Sequence, residues 1–375
     1  MNQNKLNSLV RFLFVAASLY FFLVSIGLMG AAFKGFGKGF AESLLATTSN
    51  PFVGLFVGIL ATSLVQSSST TTSIVVGMVA SGVLNIENAI PIVMGANIGT
   101  TVTNMLVSLG HITRREEFKR AISGAAVHDF FNVICVLILF PLELSMGVLQ
   151  KTATKLAGLF ANFGGIKFTS PIKLATEPTV RFIKDLLLKT LHLPEKIGYS
   201  LMLVLSMLMV FLALYFIVKI MKTLVLNRTE VVLNNVVGER GIIGILAGLI
   251  FTIIVQSSSI TTSILVPLIG AGIITIETAF PITMGANIGT TTTAILASFA
   301  TGNISAITIA FVHFLFNVIG VVFIYPIKMF RNIPIKLAKG LGNLAYRKRR
   351  YAVLYVVCAF FVVPALMIFL SKLFK

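Results

Sequence analysis

The tetrad Gln66, Ser67, Ser68 and Ser69 returns 190 positions later as Gln256, Ser257, Ser258 and Ser259, and the likeness does not stop there. PIVMGANIGTT (Pro91–Thr101) returns as PITMGANIGTT (Pro281–Thr291) at the same offset, with ten of eleven positions identical. Glu87 returns as Glu277. VHDFFNVI (Val127–Ile134) returns as VHFLFNVI (Val312–Ile319) at an offset of 185, and Pro141 and Pro326 keep that offset. The five missing residues come from the polar connection GHITRREEFKR, shortened to ATGNIS in the second copy. A chain duplicated in this detail must build one structural unit twice, so any fold assigned to it has to accommodate two matched halves.

The solvent for that unit is a bilayer. The chain is 57% apolar and 11% charged, where a soluble domain averages about 25% charged. Its mean hydropathy is +0.98. Apolar runs long enough to cross a membrane fall at 11–33, 121–146, 198–226, 304–327 and 351–374. The net charge of +18 is then read as loop charge under the positive-inside rule, not as a nucleic-acid footprint. Cys135 and Cys358 both lie in apolar runs and are expected to be small buried hydrophobes without a disulfide. The first run follows Lys5 and Arg11 but is too long for a signal-peptide core, so it is expected to be a retained anchor.

Each unit divides into four pieces. A full span (11–33 or 198–226) is followed by a segment (50–84 or 241–275) whose halves are each too short to cross. The polar tetrad sits between those halves, which predicts a re-entrant helical hairpin. The third piece (88–110 or 279–301) is interrupted by GANIGTT. Its glycines either weaken the helix into a discontinuous one that lines a site, or permit close helix packing. A second full span closes the unit (121–146 or 304–327), and 351–374 has no partner. The expected fold is an all-α polytopic membrane protein of two repeats. Residues 1–146 form repeat 1, 147–197 an external loop, 198–328 repeat 2, and 329–375 a basic cytoplasmic loop with a final span. Internal repeats of this kind are common in secondary transporters.

With the N-terminus inside, segments 1–11, 111–120, 219–240 and 328–350 face the cytoplasm and hold 18 of the 30 Lys and Arg. If each hairpin adds no net crossing, each unit crosses three times, and the units are inverted relative to one another. Non-helical backbone at membrane depth survives only where protein or water satisfies it. Two hairpin tips and two broken helices would therefore gather N–H groups, carbonyls and hydroxyls in one layer. Helix N-termini there suit an anion, and carbonyl ends suit a small hard cation. Asn97, Asn287, Thr100 and Thr290 add side-chain oxygens. No Lys or Arg lies in the middle of a membrane segment, so an anionic substrate would have its charge offset by helix termini, hydroxyls and co-bound cations, which favours sodium coupling. Blander roles compete: hydroxyls that only pack helices, Glu87 and Glu277 that complement a helix dipole, and His128 and His313 as satisfied core residues. Asp129, whose counterpart is Phe314, is either functional or held by a structural partner.

QSSSTTTS, IPIVMGANIGTTVTN and AVHDFFNVICVLILFPLE resemble the first-repeat signature of the type II sodium-dependent phosphate cotransporters. QSSSITTS and PITMGANIGTTTTAIL resemble the second. The resemblance spans roughly 50–145 and 241–328 and implies inward movement of inorganic phosphate with sodium. It also implies inverted repeats around a central site and elevator-like movement of a transport domain against a scaffold. Carried over by position, Ser67, Ser68, Ser69, Ser257, Ser258 and Ser259 would meet phosphate. Gln66, Asn97, Thr100, Thr101, Gln256, Asn287, Thr290 and Thr291 would help form sodium and substrate sites. The chain lacks the long cytoplasmic termini of vertebrate members and the cysteines of their external loop, which fits a compact bacterial form. The expected partners are phosphate, co-transported Na+ and the lipid of the cell membrane, with no cofactor, no transition metal and no nucleic acid; a homodimer is left open. Two alternatives stand beside this. One is a sodium-coupled carrier of another small anion, sulfate or a dicarboxylate. The other is an intramembrane serine enzyme using His128 or His313, against which the lack of a motif such as GxSxG weighs.

Overall fold

The computed structural model describes residues 3–37, 49–162, 171–236 and 241–373, all of them in helices or the turns between helices. Repeat 1 contains α1 (Gln3–Gly35), α2 (Pro51–Val65), α3 (Ser68–Ser81), α4 (Ile86–Gly99), α5 (Val102–Leu109) and α6 (Arg115–Met146). Two helices follow, α7 (Val148–Asn162) and α8 (Pro171–Asp185). Repeat 2 contains α9 (Glu195–Val236), α10 (Gly241–Val255), α11 (Ser258–Ala271), α12 (Ile276–Thr301) and α13 (Ile304–Ile324). Then come α14 (Lys328–Arg347), α15 (Arg350–Val357) and α16 (Val363–Leu373), the last two joined through a π turn. Among the described residues six helices are long and apolar enough to cross a membrane. They are Leu13–Gly35, Ile86–Leu109, Arg115–Met146, Glu195–Ile220, Ile304–Ile324 and Arg350–Ser371.

The short halves of the second piece end where the sequence places them. Asn50 caps α2, with Pro51 at its first turn. Fifteen residues of helix rise only about 22 Å, against about 30 Å of hydrocarbon. Glycine explains how α2 meets α4. A Cβ at Gly58 would collide with the Ile92 carbonyl, and one at Gly95 with the Leu55 carbonyl. One at Gly99 would sit 2.5 Å from the Ile59 carbonyl oxygen. The second repeat builds the same contact between α10 and α12: Gly248 against Ile282, Gly285 against Ile245 and Gly289 against Leu249. The glycines of GANIGTT therefore bring two backbones together, as small residues do at membrane helix interfaces.

That packing corrects the discontinuous helix expected in repeat 2, whereas the one expected in repeat 1 is present as a short interruption between α4 and α5. In repeat 2 α12 runs unbroken from Ile276 to Thr301. In repeat 1 the interruption is confined to Thr100 and Thr101, and both keep right-handed helical dihedrals. Backbone support from the neighbouring short helix outweighs the low helix propensity of glycine.

Two connecting segments are also corrected. The external loop expected at 147–197 contains α7 and α8, and the basic loop expected after 328 is α14. Leu149, Ala153 and Ala157 are buried at helical spacing, and α7 packs on α13. Pro334, Ile335, Ala338, Leu341 and Ala345 do the same for α14, which packs on α6. Each helix following a repeat thus lies on the closing span of the other repeat. Residues 163–170 and Lys38 lie outside the described residues. Cys135 is buried, but Cys358 is exposed on the final span, where an apolar exposed face suits lipid.

Candidate functional site

Both tetrads fold alike, residue for residue. Gln66 and Gln256 each end a helix in the left-handed region, with φ 57°. For a residue other than glycine this costs of order 1–3 kcal/mol, and such strain concentrates at functional positions. The turn is held by Gln66 N–H donating to the Thr62 carbonyl and Gln256 N–H donating to the Thr252 carbonyl, both at 2.7 Å. Ser67 and Ser257 are the N-caps of α3 and α11, accepting from the backbone N–H of Thr70 (3.2 Å) and of Ile260 (3.3 Å). Thr62 and Thr71 hydroxyls bond at 2.9 Å, and their twins Thr252 and Thr261 at 2.6 Å. These contacts fasten each tip to its own incoming helix.

The two tips then meet. All six tetrad serines, Gln66, Gln256 and Thr290 line one cavity of about 250 Å³. Ser69 Oγ and Thr290 Oγ1 lie 3.0 Å apart and link the repeats directly. Among the described residues no Lys, Arg, Asp or Glu lines this space. Its polar side consists of hydroxyls, amides and the first turns of α3 and α11, whose leading N–H groups have no intrahelical acceptor. Phe211, Leu214, Tyr215 and Val218 of α9 complete the wall. Sequence reasoning missed these four; within an apolar span only the tyrosine gave any signal.

The remaining expected site residues lie elsewhere. Asn97 and Asn287 are buried, do not line the cavity, and belong to a network that crosses the repeats. Asn287 Oδ1 accepts from His128 Nε2 at 2.6 Å, and its Nδ2 donates to Asn132 Oδ1 at 2.8 Å. Asn132 Nδ2 donates to the Asn97 carbonyl at 2.7 Å, and Asn317 Nδ2 to Asn97 Oδ1 at 3.2 Å. His128 Nδ1 meets Asn104 Nδ2 at 3.1 Å, and Asn104 Oδ1 accepts from Thr262 at 2.9 Å. The His128 pairing is that of an Nε2–H tautomer. Thr291 donates to the Ile288 carbonyl, and Thr100 has a buried hydroxyl without a partner among the described residues. Asn132 and Asn317 were legible as the asparagines of VHDFFNVI and VHFLFNVI, whereas Asn104, opposite Ala294, carried no repeat signal.

Asp129 has a structural partner. Thr101 donates to its Oδ1 at 3.0 Å, and the Tyr355 hydroxyl donates to its Oδ2. Tyr355 belongs to the final span, the one element without a counterpart, so the carboxylate without a counterpart serves the span without one. Glu87 and Glu277 open α4 and α12 and bond Gln150 and Lys339 respectively. Both ring nitrogens of His128 face asparagines, and those of His313 have no partner among the described residues. Neither histidine hydrogen-bonds a serine among the described residues.

A polytopic helical membrane protein whose duplicated halves meet at an uncharged polar cavity is the class that fold and site define. Comparison with known proteins narrows it. The family model described as Na+/Pi-cotransporter matches residues 21–169 and 208–339. The chain is 35% identical to sodium-dependent phosphate transport protein 2B of Homo sapiens, over 94% of this chain and 64% of that protein. It is 36% identical to protein 2A of Ovis aries, over 94% and 66%, and 35% identical to protein 2A of Mus musculus, over 95% and 67%. The chain therefore spans about two thirds of the length of the curated relatives it matches. It belongs to the Na+/Pi-cotransporter family. No solved structure matches it.

Proposed function

We propose that the chain is a secondary active transporter that imports inorganic phosphate with sodium, and that the cavity between the two QSSS tips is where the anion rests. The observation that carries this is the convergence of both tetrads on one uncharged polar space. Two helix N-termini and six hydroxyls can surround a tetrahedral oxyanion with donors. Without a basic side chain the anion's charge calls for a co-bound cation, and the relatives' names specify sodium and phosphate. Gln66, Gln256 and Thr290 are the residues at the cavity best suited to offer oxygens to that cation. Asn97, Asn287, Thr100, Thr101 and Thr291 support the cavity from behind.

The two short-helix pairs act as re-entrant hairpins in units of inverted topology, with the N-terminus and 328–350 cytoplasmic and 147–197 outside. The α1–α9 pair serves as the scaffold against which the tips move in an elevator-like cycle. This assignment is supported by the mutual packing of α1 and α9 and by the wall that α9 gives the cavity. One net charge crossing about 100 mV gains roughly 2.3 kcal/mol, enough to bias such a cycle. The test is uptake of radiolabelled phosphate into proteoliposomes. Uptake should require an inward sodium gradient and resist competition by excess sulfate or succinate. Equal uptake in choline overturns the coupling, and full competition by sulfate or succinate assigns the cavity to another small anion.

A further inference from the structure

A second cavity, of about 620 Å³, lies away from the tetrads, where the first turns of α6, the α11–α12 turn and the middle of α14 come together. Its cations are Lys119, Arg120 and Lys339, and its one acid is Glu277. Lys339 Nζ reaches Glu277 Oε1 at 2.6 Å, and both side chains are about half exposed. Arg120 Nε donates to the Gly270 carbonyl at 2.8 Å, which holds the guanidinium against the α11–α12 turn. Lys119 Nζ lies 5.5 Å from the centre of the Tyr346 ring. The cavity keeps two positive charges in excess, and the first turn of α12 opens onto it through Thr275 and Ile276, adding the partial positive charge of a helix N-terminus.

The duplicated scaffold does not account for this charge. The offset of 185 puts Ile304 and Ser305 opposite Lys119 and Arg120. Glu87, the twin of Glu277, bonds the neutral Gln150 at 2.7 Å. Among the described residues, the positions of the other corner that match Lys119 and Arg120 carry no cation.

The neighbouring surface is apolar. Ile273, in the α11–α12 turn, is 67% exposed. Helix α14 buries one stripe against α6 yet exposes Phe330, Ile333, Leu337 and Leu344. Lys328, Arg331 and Lys336 share that helix. A basic helix with a second apolar stripe left open lies in a membrane interface, where long cationic side chains extend toward headgroups.

We propose that this cavity binds the phosphate-bearing headgroup of an anionic phospholipid, whose acyl chains lie along the exposed apolar stripe of α14. Basic pockets between membrane helices recognise such headgroups. A lipid uses both the cations and the apolar rim, whereas free phosphate would use only the cations. The cavity is also more than twice the volume of the one between the tetrads.

The test titrates the purified full-length chain in nonionic detergent with dioleoyl phosphatidylglycerol, dioleoyl phosphatidylcholine or inorganic phosphate, and counts bound lipid by native mass spectrometry. One phosphatidylglycerol per chain should be retained at concentrations where phosphatidylcholine is not. Lys119→Gln with Lys339→Gln should weaken that binding roughly 30-fold, at about 1 kcal/mol per cation. Lys155→Gln with Lys348→Gln removes equal charge outside the cavity and off α14, and should change binding by less than about 3-fold, the effect of a screened, more distant charge. Equal losses in the two double variants would reduce the effect to general surface charge and overturn the site. Displacement of the lipid by millimolar inorganic phosphate would assign the cavity to the free ion. Asn343→Trp fills the cavity without altering charge and should abolish retention; normal retention by that variant, with a monodisperse size-exclusion profile, also overturns the proposal.

Discussion

Gln66 and Gln256 share a sequence context, a backbone conformation and a cavity, yet their side chains are committed differently. Gln256 Nε2 donates to the Ile253 carbonyl at 2.6 Å, and its Oε1 accepts from Thr293 at 2.9 Å. The Gln66 side chain makes no hydrogen bond to another described residue, and Thr103, the twin of Thr293, has a buried hydroxyl without a partner. Gln66→Ala should therefore leave thermal stability near wild type while weakening sodium-dependent phosphate binding. Gln256→Ala should weaken binding and also lower stability by about 1–3 kcal/mol, because Thr293 loses its acceptor. Melting curves paired with binding isotherms on both purified variants check this. Equal stability losses, or normal binding by Gln66→Ala, would mean that the tetrads hold helices together and not the substrate. Asp129 teaches a related lesson. Its lack of a twin was legible in the sequence, but its partner was not, since Tyr355 lies 226 residues away in a span with no repeat to align it. Tyr355→Phe should loosen the final span, at a cost of about 1–3 kcal/mol for a buried carboxylate short of one donor, read as a lower melting temperature.

At the scale of elements, repetition made some structure legible and concealed the rest. The short helices on either side of each tetrad were readable because their length, Pro51 and the cap residues act locally. The α2–α4 and α10–α12 interfaces were not, because glycine gives the same sequence signal whether it breaks a helix or admits a neighbour. Close packing decides between them, which gives a sharp contrast. Gly95→Ala and Gly285→Ala each drive a Cβ into a backbone carbonyl that cannot rotate away. Each should cost about 3 kcal/mol, the upper end for overpacking, and sharply reduce the yield of folded protein. Gly30→Ala, in α1 with nothing within 4 Å of the added carbon, should be neutral or slightly stabilising, since alanine is the better helix former. Equal tolerance in fluorescence-detected size exclusion would remove the close-packing account. The helices α7 and α14 were hidden for another reason. Their polar faces dilute the hydropathy that marks a span, and only the spacing of Leu149, Ala153 and Ala157, or of Ile335, Ala338 and Leu341, betrays the buried stripe.

For the molecule as a whole, the central fact is a cavity that takes its polar groups from both halves and, among the described residues, its charge from neither. An anion placed there without compensation would sit among partial dipoles in a low-dielectric setting, where an unpaired charge is expensive. If sodium supplies the compensation, each ligand improves the site for the other, and equilibrium linkage requires the two improvements to be equal. The tips could each bind sodium first and phosphate later, or the reverse, without altering that equality. Phosphate affinity measured by isothermal titration should therefore rise from choline to saturating sodium by some factor, and sodium affinity should rise by the same factor on saturation with phosphate. The typical size of such couplings, about 1–3 kcal/mol, corresponds to roughly 5- to 150-fold. Gln66→Ala should shrink the factor more than it weakens either ligand alone, if the amide that has no partner among the described residues joins the cation to the anion. Identical phosphate affinity in sodium and in choline would mean that helix termini and hydroxyls neutralise the anion unaided, and would separate the cavity from sodium altogether.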